Sequence, residues 1–252
     1  MEIRTYVVTG AASGIGAATA DHLEQAGARV IRCDVHEADL TTPEGRETLV
    51  AHVTNASGGR IDGLIAVAGL GVPSELTVRL NFFGTVATLE GLRPLLLASD
   101  RPSAVVVSSL SAIVAADEGI VSACLSMDEE SAVAAARTAI GEGRGRIVYP
   151  SSKAALDRWL RRAAVTPDWA GAGIPLNAVA PGVVDTDTAR KLILSDRTTR
   201  DLVSTAMPQP LGFPGPADAI ASLLAWLAGP ANTFTTGQII YADGGAEATL
   251  RP

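Results

Sequence analysis

Short apolar runs alternate along the chain with longer stretches of helical periodicity. The runs fall at 6–9, 29–33, 64–67, 104–108, 175–180 and 238–241, each of strand length and most bounded by turn residues. They are almost continuously hydrophobic rather than alternating, as strands covered on both faces are. Between them, apolar residues recur at three- and four-residue spacing over 15–26, 44–56, 75–98, 150–165 and 216–228. Gly27 is placed to stop the first of these helices, Thr42-Pro43 to start the second and Pro216 to start the last. The regular strand–helix–strand order predicts an α/β fold: a single-domain, Rossmann-type doubly wound parallel sheet with helices on both faces. No internal repeat, low-complexity tract or linker divides residues 1–252, so one domain is expected.

Two stretches break the rhythm. The segment 110–148 is too long for an ordinary loop. Within it, Ser126-Met127-Asp128-Glu129 has the capping-box form and leads into an Ala-rich run with Arg137 late and Gly141 at its end, predicting a helix over 127–140. A helical insertion at about 112–146 is therefore expected. The second stretch, 187–215, carries Pro208, Pro210 and Pro214 and reads as a mobile lid.

Composition narrows the class. With 47% hydrophobic and 19% charged residues among 252, the chain can bury a large core. Its formal net charge of −7 and the lack of any Lys/Arg run give nucleic acid or an anionic membrane little to pair with. Cys33 and Cys124 sit in no metal or redox spacing and read as reduced core thiols. His22, His36 and His52 are scattered, so no metal is expected. Met1 runs almost directly into the first strand with no signal-peptide pattern, and no apolar stretch approaches the ~20 residues of a membrane span, which predicts a cytoplasmic protein.

Three motifs carry chemistry. Thr9-Gly10-Ala11-Ala12-Ser13-Gly14-Ile15-Gly16 joins the first strand to the first helix, where a phosphate needs bare backbone and free N–H groups. A tight turn with no ligand would show the same glycines, but the strand before and the helix after favour the nucleotide. Asp34 ends the second strand, where a carboxylate accepts from ribose hydroxyls and repels a 2′-phosphate, so NAD is expected over NADP; Arg32 alternates to the other side of the strand. Tyr149-Pro150-Ser151-Ser152-Lys153 sets a phenol and an ammonium one helical turn apart. A phenol of ordinary pKa about 10 becomes a base near neutrality only with about 4 kcal/mol of preference for phenolate, which a nearby ammonium and a cationic nicotinamide would supply. Alone, Tyr-x-x-x-Lys also describes many surface pairs.

These motifs, with Ala66-Val67-Ala68-Gly69, Asn81, Ser108-Ser109, Pro181-Gly182 and Asp243-Gly244-Gly245, occur in the order found in the short-chain dehydrogenase/reductase family, which the chain resembles over essentially its whole length. The resemblance implies that Ser109 hydrogen-bonds the substrate oxygen and that Tyr149 exchanges its proton. It further implies that Lys153 binds the nicotinamide ribose and lowers the tyrosine pKa, and that Asn81 holds a water leading from Lys153 to solvent. It assigns Gly10, Ser13, Gly14, Ile15, Gly16, Asp34, Ala68 and Gly69 to the cofactor, together with Asp39 and Leu40 at the adenine and Pro181, Gly182, Val184 and Thr186 at the nicotinamide.

Departures from the family pattern point to a branch of it. Asp39 follows Asp34 by only five positions, so the helix usual there is missing, and forty positions separate Ser109 from Tyr149. With Gly69-Leu70-Gly71 and Leu80-Asn81-Phe82-Phe83-Gly84, this is similar to the bacterial 3α-hydroxysteroid dehydrogenase/carbonyl reductases. In that branch the insertion covers the usual tetramer interface, and the resemblance implies a homodimer. Leu110, Ser111, Ile113, Val183, Thr188 and Leu192 would form an apolar pocket for a ring-sized alcohol or ketone, with no Arg or Lys waiting for a substrate carboxylate. Monoterpenoid or other cyclic alcohols fit the same motifs, and a non-catalytic NAD(H)-sensing or scaffolding protein remains the reading of another class.

Overall fold

The computed structural model describes residues 3–252. Six strands form one parallel sheet: β1 (Thr5–Thr9), β2 (Arg29–Cys33), β3 (Gly63–Ala66), β4 (Ser103–Val107), β5 (Leu176–Pro181) and β6 (Ile239–Ala242), in the order β2-β1-β3-β4-β5-β6. Successive residues of each strand feed opposite faces, as the pleat demands. Val7, Leu64, Ala104, Val106 and Ala178 belong to the core on one side; Val8, Ile65, Val105, Val107 and Val179 belong to that on the other. β3, β4 and β5 are buried along their whole length, which is why they read as nearly continuous apolar runs.

The helices are α1 (Gly14–Gln25), α2 (Pro43–Ser57), α3 (Glu75–Val78), α4 (Thr85–Leu96), α5 (Glu118–Leu125), α6 (Glu129–Gly141), α7 (Val148–Ala163), α8 (Asp187–Ala189), α9 (Arg197–Ala206), α10 (Ala217–Leu227) and α11 (Ala246–Leu250). Helices α1 and α10 pack together over one face. Residues Leu49 and Val53 of α2, Leu89, Leu92 and Leu96 of α4, and Leu156 and Leu160 of α7 fill the core on the other. Thr42 caps α2 by accepting from the Gly45 N–H at 3.0 Å, with Pro43 at the first helical position.

The expected helix over 75–98 is broken. Between α3 and α4 the backbone of Arg79–Gly84 winds as a π-helix, and the Thr85 N–H reaches back to the Leu80 carbonyl. Bonds spanning five residues instead of four are commonly a local adjustment at a functional position; here the segment carries Asn81.

The insertion holds two helices where one is expected. Asp117 caps α5, accepting from Gly119 and Ile120 at 2.9 and 3.2 Å, and α5 lies against α7, where Arg158 pairs with both carboxylate oxygens of Glu118. Ser126 does not form the expected capping box. It ends α5, Met127 turns the chain with φ of 57°, and Asp128 caps α6 by accepting from Ser131. Glu129 then joins α6 to the body of the domain. Its carboxylate takes Arg46 through two bonds of 2.7 and 2.9 Å and Arg79 at 2.8 Å. Burial pushes this carboxyl up, and the two guanidinium groups hold it below its ordinary value.

The segment 187–215 is also more regular than expected, with α8, a π-turn at Arg190–Leu194 and α9. Its base is a neck: Val183 accepts from the Gly215 N–H, Gly215 accepts from the Asp185 N–H, and the buried Gln209 amide bridges Val183 and Gly212.

Candidate active site

One cavity of about 790 Å³ runs across the carboxyl ends of the strands, where the chain leaves the neighbouring β1 and β3 toward opposite edges of the sheet. Every residue expected to hold the cofactor lines it, as does Tyr149. At one end, Gly10 adopts φ of 67° and lies so close to β3's exit that a Cβ would stand 2.9 Å from the Ala68 backbone. A Cβ at Gly16 would stand 2.0 Å from the Gly10 carbonyl, so the strand can turn this tightly into α1 only with glycine at that place. Ser13 precedes α1 in extended conformation without capping it through its side chain, which leaves the helix's first N–H groups turned toward the cleft.

The Asp34 carboxylate accepts from the Ala12 N–H at 2.9 Å and lines the cleft beside Asp39, whose own carboxylate is held by Thr41. Arg32 is turned away and engaged with Asp21 and Glu24 on α1. Among the described residues no cation is left at this end for a 2′-phosphate, and the residues fit a dinucleotide with free ribose hydroxyls. The Leu40 carbonyl at the cleft floor is fixed by Arg46 Nε at 2.9 Å, and the same guanidinium bonds the Arg79 carbonyl and Glu129. The insertion is in this way wired to the floor of the cleft, a link with no trace in the motif spacing.

At the other end, Tyr149 and Lys153 project from α7 into the cavity, the Lys153 Nζ 6.0 Å from the centre of the Tyr149 ring. Pro150 falls in the helix's first turn, where its missing N–H costs nothing. The Ser109 hydroxyl acts on the Tyr149 phenol and accepts from the Ser111 N–H and Oγ at 3.1 and 2.9 Å. Lys153 is 3% exposed and donates to the Val107 carbonyl at 2.7 Å. Burial draws its pKa down to about 8, against the attraction of Asp157 one turn further along. In the chain alone burial raises the Tyr149 phenol, Ser109 opposing it only in part, so the lowering expected with a bound cationic nicotinamide rests on the cofactor as well as the amine. The amine stands too far off and is too strongly desolvated to reverse this by itself.

Asn81 is completely buried behind the cleft wall. Its Oδ1 accepts from the Leu70 N–H at 2.8 Å, and its Nδ2 donates to the Leu70 carbonyl and to Ser152 Oγ. Of the expected pocket residues, Leu110, Ser111, Val183, Thr188 and Leu192 line the cavity. Ile113 does not; the 3₁₀ turn Leu110–Ile113 rotates it off the wall and Val114 takes its place. Ile193, Val203 and Met207 from the lid complete an apolar end. The expectation that no cation lies there is also overturned, because Arg146 lines the same end. It sits in the short turn Gly145–Ile147, whose helical phase is set by α7 and is invisible in the sequence of an irregular stretch. Among the described residues no group of three or more His, Cys, Asp or Glu is placed to hold a metal, and no helix is long and apolar enough to cross a membrane.

A glycine-built phosphate cradle, a ribose-facing carboxylate and a Ser–Tyr–Lys set on one parallel sheet define a nicotinamide-dependent oxidoreductase. The chain belongs to the short-chain dehydrogenase/reductase family, and residues 10–247 match the family model described as enoyl-(acyl carrier protein) reductase. It is 35% identical to the 3-alpha-hydroxysteroid dehydrogenase/carbonyl reductase of Comamonas testosteroni, over 98% of this chain and 97% of that one. The cis-4-hydroxycyclohexanecarboxylate dehydrogenase of Sinomonas cyclohexanicum is 31% identical, over 96% of each chain. The crystal structure of the 3-alpha-hydroxysteroid dehydrogenase from Pseudomonas sp. B-0831 complexed with NADH matches with a TM-score of 0.88 and 39% identity, over 98% of each chain.

Proposed function

We propose that the protein is an NAD(H)-dependent enzyme interconverting a secondary alcohol and a ketone on an apolar, cyclic substrate of the hydroxysteroid/carbonyl type. The observation that carries this reading is the placing of Ser109, Tyr149 and Lys153 around the apolar end of a cleft whose other end is built for a dinucleotide. Gly10, Ser13, Gly14, Ile15, Gly16, Asp34, Asp39, Leu40, Ala68 and Gly69 hold its adenosine and phosphates, and Pro181, Gly182, Val184 and Thr186 seat the nicotinamide.

Bound NAD(H) supplies or accepts the hydride and, when oxidised, a positive charge beside the phenol. Ser109 donates a hydrogen bond to the substrate oxygen. In the reducing direction Tyr149, which carries its proton at neutral pH, gives it to that oxygen. In the oxidising direction the phenolate must form, and Lys153 together with the charge of the oxidised ring offsets the cost of burial. Lys153 anchors the nicotinamide ribose and passes the proton on through a water held at Asn81.

An NADH-linked assay over steroid, terpene and simple cyclic ketones, with NADPH alongside, tests the assignment. Tyr149→Phe should bind NADH with unchanged affinity and lose about 10²- to 10⁴-fold in kcat, the scale of general acid catalysis. A variant that kept its rate would sink the mechanism, and a protein that bound NADH yet turned over no carbonyl would favour a sensing or scaffolding role. NADPH preferred to NADH would overturn the role given to Asp34. The Sinomonas relative supports a single-ring cyclic alcohol as the second reading of the substrate.

The protein is further assigned as a homodimer. The outer side of α7 is covered by α5 through Arg158 and Glu118, so that helix is not free to build a four-helix tetramer contact. The molar mass in solution decides this directly.

A further inference from the structure

We propose that the substrate's apolar ring system carries a carboxylate, and that Arg146 receives it. This rests on the reading of the cleft as an alcohol/ketone site and names the class of molecule that enters it. Arg146 stands in the turn Gly145–Ile147, which runs without a break into α7. Tyr149, Pro150 and Lys153 follow it at spacings of three, four and seven, so the four residues share one helical face, and all four line the cavity. At 1.5–2 Å of rise per residue the Arg146 backbone lies about 5 Å from that of Tyr149 along the helix axis.

Charge is scarce along this wall. Besides Arg146, the charged residues lining the cavity are Asp34 and Asp39 at the adenosine end and Lys153, which is buried on the Val107 carbonyl. Nearby arginines are occupied: Arg144 by Glu142 and Asp117, Arg158 by Glu118, and Arg190 by Asp185 and Asp187. Arg146 has no hydrogen-bond or ion-pair partner among the described residues. Val114, Met207 and Leu192 line the same end, so a ligand there meets apolar walls with one forked cation at the rim. A guanidinium matches a carboxylate through two parallel N–H bonds. In a chain of net charge −7, it also counters the repulsion an anionic substrate would otherwise meet.

The test compares NADH-linked reduction of 4-oxocyclohexanecarboxylate and of a 3-oxo steroid acid with that of their methyl esters. Wild-type protein should prefer the acid to its ester by about tenfold or more in kcat/KM, with the difference carried by KM. The acid-to-ester ratio should fall to near unity in Arg146→Gln and below unity in Arg146→Glu, and Arg146→Lys should restore part of it. Equal kcat/KM for acid and ester in the wild type, or a preference that survives Arg146→Glu, would overturn the carboxylate assignment and leave the ketone site standing. Failure to reduce any of these ketones by a protein that still binds NADH would overturn the ketone site, and this proposal with it.

Discussion

The insertion between β4 and α7 and the lid between β5 and α10 border the same cleft and are held in opposite ways. The insertion extends the core of the domain, with Ile120, Val121, Cys124, Ala132, Val133 and Ala136 all buried, and it is riveted to the domain by Glu129 between Arg46 and Arg79. Neither α8 nor α9 has a buried residue; the apolar side chains of the lid line the cleft or, like Leu202 at 67% exposure, face solvent. Above its neck the lid has little to pack on but what enters the cleft. One excursion of the chain therefore serves the stability of the fold, and the other serves the capture of ligand.

The largest effect that would separate the two is expected at the rivet. Glu129→Ala takes the shared carboxylate from two largely buried guanidinium groups, leaving Arg46 its carbonyl acceptors and Arg79 the exposed Glu130, and should cost about 3 to 4 kcal/mol of unfolding free energy in a urea titration. A loss no larger than that of an exposed pair would show the insertion to be as loosely held as the lid.

Next comes a group on α7, against which the insertion rests. Burial raises Asp157 to about 6, against the pull of Ser108, Lys153 and Arg161. A carboxyl whose folded pKa exceeds its ordinary 3.8 favours the fold at low pH and loses that contribution as the pH rises through about 6. Asp157→Asn should accordingly stabilise the protein by about 3 kcal/mol at pH 8, with the gain shrinking as the pH falls below about 6. Equal gains at pH 5 and pH 8, read as free energies of unfolding, would contradict it.

The smallest effect on stability belongs to the lid. Leu192→Ala should lower kcat/KM for an apolar ketone about tenfold, by removing part of the pocket wall, while changing the unfolding free energy by under about 0.5 kcal/mol. A variant that lost stability instead of activity would erase the contrast.

What the chain's pattern made legible follows the same division. Strands β3, β4 and β5 are buried on both faces and leave unmistakable apolar runs, and the glycines at 10 and 16 answer to close backbone approaches that no other residue allows. The Tyr149–Lys153 spacing is helical geometry written directly in sequence. Helix α5 was not legible, because it is eight residues long, includes Gly119 and is held by Arg158 from a distant segment. The lid helices were hidden because their apolar residues face a cavity rather than a core, while the prolines at 208, 210 and 214 gave the segment the look of a loop. Arg146, the exchange of Ile113 for Val114 and the raised phenol depend on the phase of short turns and on depth of burial, neither of which any spacing encodes.

The underwound stretch Arg79–Gly84 has a consequence for the length of the chain. Removing any one of its residues would return it to ordinary winding and shift the register of the residues inside the turn against the flanking helices. Asn81 would then turn its amide from Leu70 and Ser152, and the wall behind the lysine would open. Substitutions can be absorbed around that amide, but a deletion cannot, so the count of residues there is part of the site just as the asparagine is.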